Sequence, residues 1–504
     1  MSEHPGFELF PLTARQKVAT MAASLLGLLL AALDQTIVAT AGPEIQRDLH
    51  IAPSLYVWIT TAYLVASTVM VPVWGKLSDL FGRKRILLAG MTIFLVGSTG
   101  CGLAQSTTQL IVMRAVQGLG SAALFTNAFA VIADMFPPAD RGKYQGIYGG
   151  VFGLASVAGP LAGGFITDGI GWHWVFFINL PIGAIAIAFA AARMPALRRP
   201  RRVKVRIDVP GALALSVAVV PLLLALSLGH GAHAQTEGGW AWGSWQILGM
   251  FGVSAVGVVA FLYAEGHASD PLLDLRLFGD RLFALGNLAT FVMGLSFLSA
   301  IVFLPLFMVN VVGLSATNSG LTTMPLTFGI VISNVVVGQM VSIIGRFRSV
   351  MLGAEVLLIV AFLIMGFTLA TDSTQLGVSI KMFAVGVGLG PAIPLFTLAV
   401  QSAVPPHQIG VATSTVTFSR AMGTTIGLAI MGTVFATTLA SRLQAGMAAA
   451  HGAARELVAR QAFTDAISRV YQVCAALAVA GLVVTLLIPD RPLRRTAGAP
   501  VAVE

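Results

Sequence analysis

The sequence predicts an all-α integral membrane protein of fourteen transmembrane helices. They form two six-helix pseudo-repeats with two inserted helices between them, and both termini are cytoplasmic. Three observations predict this. Hydrophobic residues make up 56% of the 504-residue chain and charged residues only 10%, against about 25% charged in a soluble domain. Such a chain cannot cover itself with polar surface, so lipid must be its solvent. The apolar residues fall in runs of roughly 20, the length a helix needs to cross the hydrocarbon core. They lack the two-residue alternation of a membrane β-barrel. Third, the loop Gly75-Lys76-Leu77-Ser78-Asp79-Leu80-Phe81-Gly82-Arg83-Lys84-Arg85 after the second run has an echo after the tenth, Gly338…Gly345-Arg346-Phe347-Arg348, with glycines and arginines at matching offsets.

In chain order the expected spans are 18–41, 55–74, 86–104, 108–135, 144–168, 173–192, 209–229, 245–264, 283–310, 318–342, 349–370, 378–402, 408–438 and 471–488. The first follows a mixed-charge N-terminus and is too long for a signal-peptide core, so it stays as an uncleaved span. The echo follows the second span of a half that begins at span 9, so spans 1–6 and 9–14 read as two copies in one orientation. The chain then divides into a half over 1–192, a connecting region over 193–282 and a second half over 283–504. Parallel repeats place the substrate path at their interface, near the bilayer midplane. The linker 193–208 crowds Arg193, Arg198, Arg199, Arg201, Arg202, Lys204 and Arg206 among prolines. It reads as a topogenic segment held by anionic headgroups. Pro210 opens span 7, where a missing N–H costs little. The outer segment 439–470 reads as a solvated hairpin, and residues 453–470 can form a short amphipathic helix.

The formal charge of +9 would invite a nucleic-acid partner in a soluble protein. Here most of the 30 Lys and Arg residues fall in alternate loops, which places those loops in the cytoplasm. No nucleic acid is implied. Four arginines in the long outer segment run against the trend, but long loops obey it less strictly. Cys101 and Cys474 lie in separate spans, so no disulfide framework or metal site follows. No phosphate-binding Gly-x-x-x-x-Gly-Lys-Ser/Thr loop, catalytic triad, zinc or haem spacing occurs. No enzyme activity and no cofactor are therefore expected, and ATP is not the energy source.

A charge inside a span costs about 2.5–3.5 kcal/mol on insertion scales and is functional by default. Asp34 in span 1 and Arg114 in span 4 both lie roughly 10 Å below the outer surface at the helical rise. They can meet or share a cavity. An acid that responds to burial and to a movable cation can carry a proton. Glu355 in span 11 and Arg420 in span 13 are candidates for substrate contact, gating or local pairing, the last two ranked first. Asp134 and Asp168 lie near span ends, where snorkelling to water is cheap. Gln35, Asn127, Asn287, Asn310, Asn334 and Gln339 can line a cavity or bond helix to helix. In the basic loop, Gly82 permits a turn with positive φ, Gly75 permits close helix approach, and Asp79 can face a neighbouring helix N-terminus. In span 5, Gly149, Gly153, Gly159, Gly163 and Gly164 make small-residue faces for helix contact. Pro160 frees a carbonyl and lets the helix bend.

These motifs resemble the major facilitator superfamily, and within it the fourteen-span drug:proton antiporters that confer multidrug and quaternary-ammonium resistance. The 75–85 loop is similar to the family's signature loop. There the acid bridges to the other half, near residues 408–411 here, and holds the outward-open state. Leu80 stands where a basic residue is commoner. Gly159-Pro160-Leu161-Ala162-Gly163-Gly164 resembles the motif that marks exporters. Leu33-Asp34-Gln35-Thr36-Ile37-Val38 resembles the branch's first-span motif. Arg114-Ala115-Val116-Gln117-Gly118-Leu119-Gly120 resembles a fourth-span motif implicated in proton coupling. Trp172-His173-Trp174-Val175-Phe176-Phe177-Ile178-Asn179 also resembles the branch, with His173 in place of its usual Arg.

The resemblance implies a proton-coupled antiporter that exports lipophilic drugs or antibiotics by alternating access across the cytoplasmic (inner) membrane of a bacterium. Asp34 and Arg114 would couple protons. Gly75, Asp79, Gly82, Arg83, Arg85, Gly159, Pro160, Gly163 and Gly164 would serve gating. Its partners would be a small lipophilic substrate, protons and the bilayer. Some members of the branch also use a periplasmic adaptor. A lipophilic monocation would suit the Asp34 carboxylate; neutral antibiotics and an endogenous metabolite stay open. An uptake symporter and a non-transporting receptor or assembly protein are the rival readings.

Overall fold

The computed structural model describes residues 12–51, 58–197, 208–230, 240–268, 271–313, 316–405, 408–447 and 453–491. Arg198 to Arg206 of the basic linker, and the C-terminal tail beyond 491, lie outside the described residues. The first half contains α1 (Ala14–Asp48), α2 (Trp58–Phe81), α3 (Arg83–Gly102), α4 (Thr107–Met135), α5 (Pro138–Ile170), α6 (Trp174–Phe177) and α7 (Asn179–Arg193). The inserted pair is α8 (Val209–Leu228) and α9 (Trp245–His267). The second half contains α10 (Arg281–Asn310), α11 (Ala316–Ile344), α12 (Arg348–Thr368), α13 (Gln375–Leu389), α14 (Ala392–Ser402), α15 (Ile409–Met447) and α16 (Ala453–Leu487). Two short parallel strands, Gly229–His230 and Trp240–Ala241, join α8 to α9.

Among the described residues, thirteen segments are long and apolar enough to cross a membrane. Trp174–Arg193 and Gln375–Ser402 each count as one crossing made of two helices. The break in the second falls at Gly390–Pro391, where Pro391 has no N–H to continue the ladder. The expected fifth span is the 33-residue α5. Polar caps start several helices. Thr13 and Gln16 form a capping box at α1, Ser106 accepts from Gln109 N at α4, and Asp280 accepts from Leu282 N at 2.7 Å at α10. Each supplies an acceptor for an N–H that has no intrahelical partner.

The 439–470 segment is helical: α15 continues to Met447, and α16, which contains the helix expected over 453–470, runs unbroken from Ala453 into the last span. The alanine-rich stretch favours helix. The i,i+4 pair Glu456–Arg460 at 2.8 Å supports it, and Arg442–Asp465 at 3.1 Å ties the two helices together.

Each half owns a core. Leu28, Tyr63, Phe94, Leu124 and Phe129 anchor the first; Phe307, Phe347, Phe362, Phe396 and Met382 anchor the second. The inserted helices pack on one another, where a Cβ at Gly257 would run into the α8 backbone at Val217 and Ala218. Leu215 and Val219 of α8 then pack with Val65 and Val69 of α2. The turn glycines that follow α2 and α11 agree: Gly82 has φ 91° and Gly345 φ 72°.

Candidate proton site and gate

Asp34 lies in the middle of α1 and is completely buried. Its Oδ2 accepts from Arg114 Nη1 at 2.7 Å. Its Oδ1 accepts from Gln117 Nε2 at 2.7 Å and Asn179 Nδ2 at 3.1 Å. Arg114 and Gln117 stand one turn apart on α4 and so share a face. Arg114 also donates from Nη1 to Gln117 Oε1 at 2.8 Å and from Nε to the Ile59 carbonyl at 2.9 Å. Its guanidinium lies over the Tyr63 ring, 4.4 Å from the centroid. Asn179 donates on to Ser98 Oγ at 3.0 Å, and the Tyr63 hydroxyl meets Ser121. Gln35 is half-buried and interacts with that hydroxyl. Five helices, α1, α2, α3, α4 and α7, therefore build one closed polar ring inside the first half. An unpaired carboxylate in this environment would carry a large desolvation cost; here every Asp34 oxygen has a donor.

Asp34 and Arg114 thus meet as the depth arithmetic expects. The expected match between Asp34 and a substrate cation does not appear in this conformation, because the carboxylate is fully enclosed and saturated. Gln117 and Asn179 completed the site unforeseen. Both sit inside the quoted motifs, Gln117 three residues after Arg114, and that spacing was the available signal.

The second cluster lies at the end of the bundle that carries the basic loops. Asp79, near the end of α2, accepts from Gly410 N and Val411 N, each at 3.1 Å, across the boundary between the halves. These N–H groups belong to the first turn of α15, where orphan donors and the helix dipole favour an anion. Arg83 reaches back one turn to Asp79 at 2.8 Å. It also donates to Asp134 at 2.6 Å and Ser78 Oγ at 2.7 Å. Ser78 in turn donates to Asn127 Oδ1 at 2.7 Å. Small residues permit this approach. A Cβ at Gly75 would run into Ser414, and one at Gly410 into the Asp79 carboxylate.

Two expectations change here, those for Asp134 and Arg85. Asp134 does not snorkel to water; it is buried against Arg83. Asn127 bonds helix to helix, one of its two expected roles. Arg85 is exposed and stands outside the cluster. Lys84 donates to the Ala191 carbonyl at 2.8 Å.

Helix α5 touches both neighbours of this system. Toward one end, Gly159 and Gly163 lie against Thr36, Ile37 and Thr40 of α1. Thr36 Oγ1 donates to the Ala155 carbonyl at 2.9 Å. The helix continues through Pro160. Toward the basic end, Gly142, Gly146, Gly149 and Gly153 lie against Gly338, Asn334 and Val331 of α11. Gly164 differs from its neighbours: a Cβ there would meet nothing within 4 Å, so it takes no part in these contacts. Gln145 Nε2 reaches Gln401 Oε1 at 3.3 Å, and Gln401 donates to Thr413 Oγ1 at 2.9 Å. These contacts join the halves at the basic end.

The charges of the second half do not pair locally as expected. Glu355 Oε1 accepts from Thr485 at 2.8 Å while Oε2 has no partner. Arg420 Nη1 is likewise buried without one. Met351, Met293, Phe396 and Leu395 surround a small apolar recess beside Glu355.

Two helical halves, joined at one end and holding a buried acid–base pair in the middle of one of them, define a multi-pass membrane transporter. The chain belongs to the Major Facilitator Superfamily, whose family model matches residues 24–428. It is 39% identical over 414 residues to the multidrug transporter protein MdtP of Bacillus subtilis, covering 81% of this chain and 74% of that one. It is also 39% identical over 432 residues to multidrug resistance protein 3 of the same organism, covering 85% and 82%. The tetracenomycin C resistance and export protein of Streptomyces glaucescens is 32% identical over 418 residues, covering 83% and 76%. In fold it resembles the human organic anion transporter MFSD10, with a TM-score of 0.63 at 17% identity over 92% of this chain and 99% of that one. The proton:xylose symporter XylE gives 0.63 at 14% identity over 95% and 97%.

Proposed function

We propose that this transporter exports lipophilic drugs or antibiotics in exchange for protons across the cytoplasmic membrane of a bacterium, by alternating access between its two halves. In this reading α5 brings the thirteen spans to fourteen, and both termini and the basic loops face the cytoplasm. The contacts between the halves then close the cytoplasmic end, which is the outward-facing arrangement. The relatives support export: they are a multidrug transporter, a multidrug resistance protein and a tetracenomycin C resistance and export protein.

One observation carries the coupling: the buried Asp34–Arg114 pair lies two residues from the α1–α5 contact at Thr36. A proton on Asp34 removes the charge that holds Arg114 and leaves the guanidinium to seek other partners. The change falls on α1 beside Gly159 and Gly163 of α5. The other end of α5 carries the glycines that pack against α11 and close the cytoplasmic side. Helix α5 therefore links the protonation site to the gate, and Asp79 with Arg83 latches the same side through α15. Coupling follows only if proton and substrate bind the two states unequally.

The test uses inside-out vesicles with an acidified lumen. Lipophilic cations and neutral drugs, added in turn, should release lumenal protons through the native protein and not through Asp34→Asn. Equal release through both proteins, or none through either while drug still binds, would overturn the role of Asp34. Proton flow of the opposite sign would favour an uptake symporter.

A further inference from the structure

The inserted helices hold a pair of acids that the transport reading does not use. Asp208 caps α8, its Oδ1 accepting from Gly211 N at 2.8 Å. Glu265, in the last turn of α9, accepts from Leu273 N at 3.1 Å through Oε2. Each carboxylate thus has one oxygen anchored to a backbone N–H. The other two oxygens, Asp208 Oδ2 and Glu265 Oε1, are buried and have no partner. Both converge on Gly211: a Cβ there would run into Asp208 Oδ2 and lie 3.0 Å from Glu265 Oε1. Asp208 is 9% exposed and Glu265 4%. The absence of a side chain at Gly211 is what leaves room between them.

Two buried carboxylates that face one another cannot both ionise cheaply; one proton held between them removes the repulsion and supplies the missing donor. From α2, Lys76 acts on Glu265 electrostatically and is itself 5% exposed. Asp274 of the following turn caps Arg276 N at 3.1 Å. His267 bonds the Tyr263 carbonyl and is exposed. The charged side chains of α15 are Arg420 and Arg442, both beyond its first turns.

We propose that Asp208 and Glu265 form a second proton-binding site, holding one proton between Asp208 Oδ2 and Glu265 Oε1, separate from Asp34. The site lies beside Lys76, the neighbour of gate residue Gly75, so loss of its proton puts a new negative charge next to the gate helix. It does not depend on drug export or on Asp34.

The test is difference infrared spectroscopy of the full chain in lipid nanodiscs, titrated over pH in an Asp34→Asn background. A carbonyl band of a protonated carboxylic acid should appear on acidification. It should be lost on adding either Glu265→Gln or Asp208→Asn, two near-isosteric changes whose folding a thermal melt confirms. A band untouched by both substitutions overturns the proposal. So does a band abolished by NaCl at fixed pH, which would assign the pair to a metal cation. Loss of substrate-linked proton release in Asp34→Asn with this band intact would separate the two sites.

Discussion

Asp79→Asn gives the sharpest test of the gate. The Asp79–Arg83 pair lies within one half and persists when the halves separate, so its loss largely cancels from the conformational equilibrium. The bonds to Gly410 N and Val411 N exist only while the basic end is closed. Asparagine keeps one acceptor oxygen and loses the charge. A hydrogen bond to a charged group contributes about 1.5–3 kcal/mol, and a charge at a helix N-terminus about 0.3–1 kcal/mol or somewhat more when partly buried. Both bonds here are 3.1 Å long, which argues for the lower part of each range. A total of about 2–3 kcal/mol corresponds to roughly a 30- to 150-fold fall in the closed-to-open ratio at the basic end. Spin labels at Lys143→Cys on α5 and Met340→Cys on α11 would read it as a distance distribution. Both positions are exposed beside the Gly142–Gly338 contact, and native Cys101 and Cys474 are buried and take no label. An unchanged distribution in Asp79→Asn would refute the latch.

Three further substitutions separate contact from resemblance. Gly163→Val should abolish drug export with membrane insertion intact, because any side chain meets Thr40 and the Ile37 carbonyl; Gly164→Ala, with open space around it, should export normally. Arg83→Lys should lower export at least tenfold, since Asp134, Ser78 and Asp79 are each held by a different guanidinium nitrogen and lysine has only one; export at the native rate would show that the cluster is only topogenic. Glu355→Gln keeps the bond from Thr485 and should change the thermal midpoint and the transport rate little; a severe transport loss would place Glu355 in the mechanism.

The two clusters were legible to different degrees. Gly82 was expected to take positive φ and does. Asp79 was expected to reach residues 408–411 and bonds Gly410 and Val411. Asp34 and Arg114 were placed at one depth and pair at 2.7 Å. Asp134 was misread, because an acid near a span end looks the same whether it faces water or the Arg83 of another helix. The helix over 453–470 was legible, but not its continuity with the last span, because charges among alanines suit a separate surface helix and the extension of a span equally.

By itself the sequence determined composition, the length of each apolar run and, through a fixed rise per residue, the depth of each charge along its helix. It also set the turn glycines and the helix caps, which are local. Only the tertiary structure decided direction around each helix axis. Gly163 and Gly164 are chemically identical and adjacent, yet one touches α1 and the other touches nothing. Asp208 and Glu265 are far apart in the chain and meet only because α8 packs on α9. Depth is additive along a single helix, whereas rotation and partnership depend on how every neighbouring side chain packs, and no local pattern encodes that.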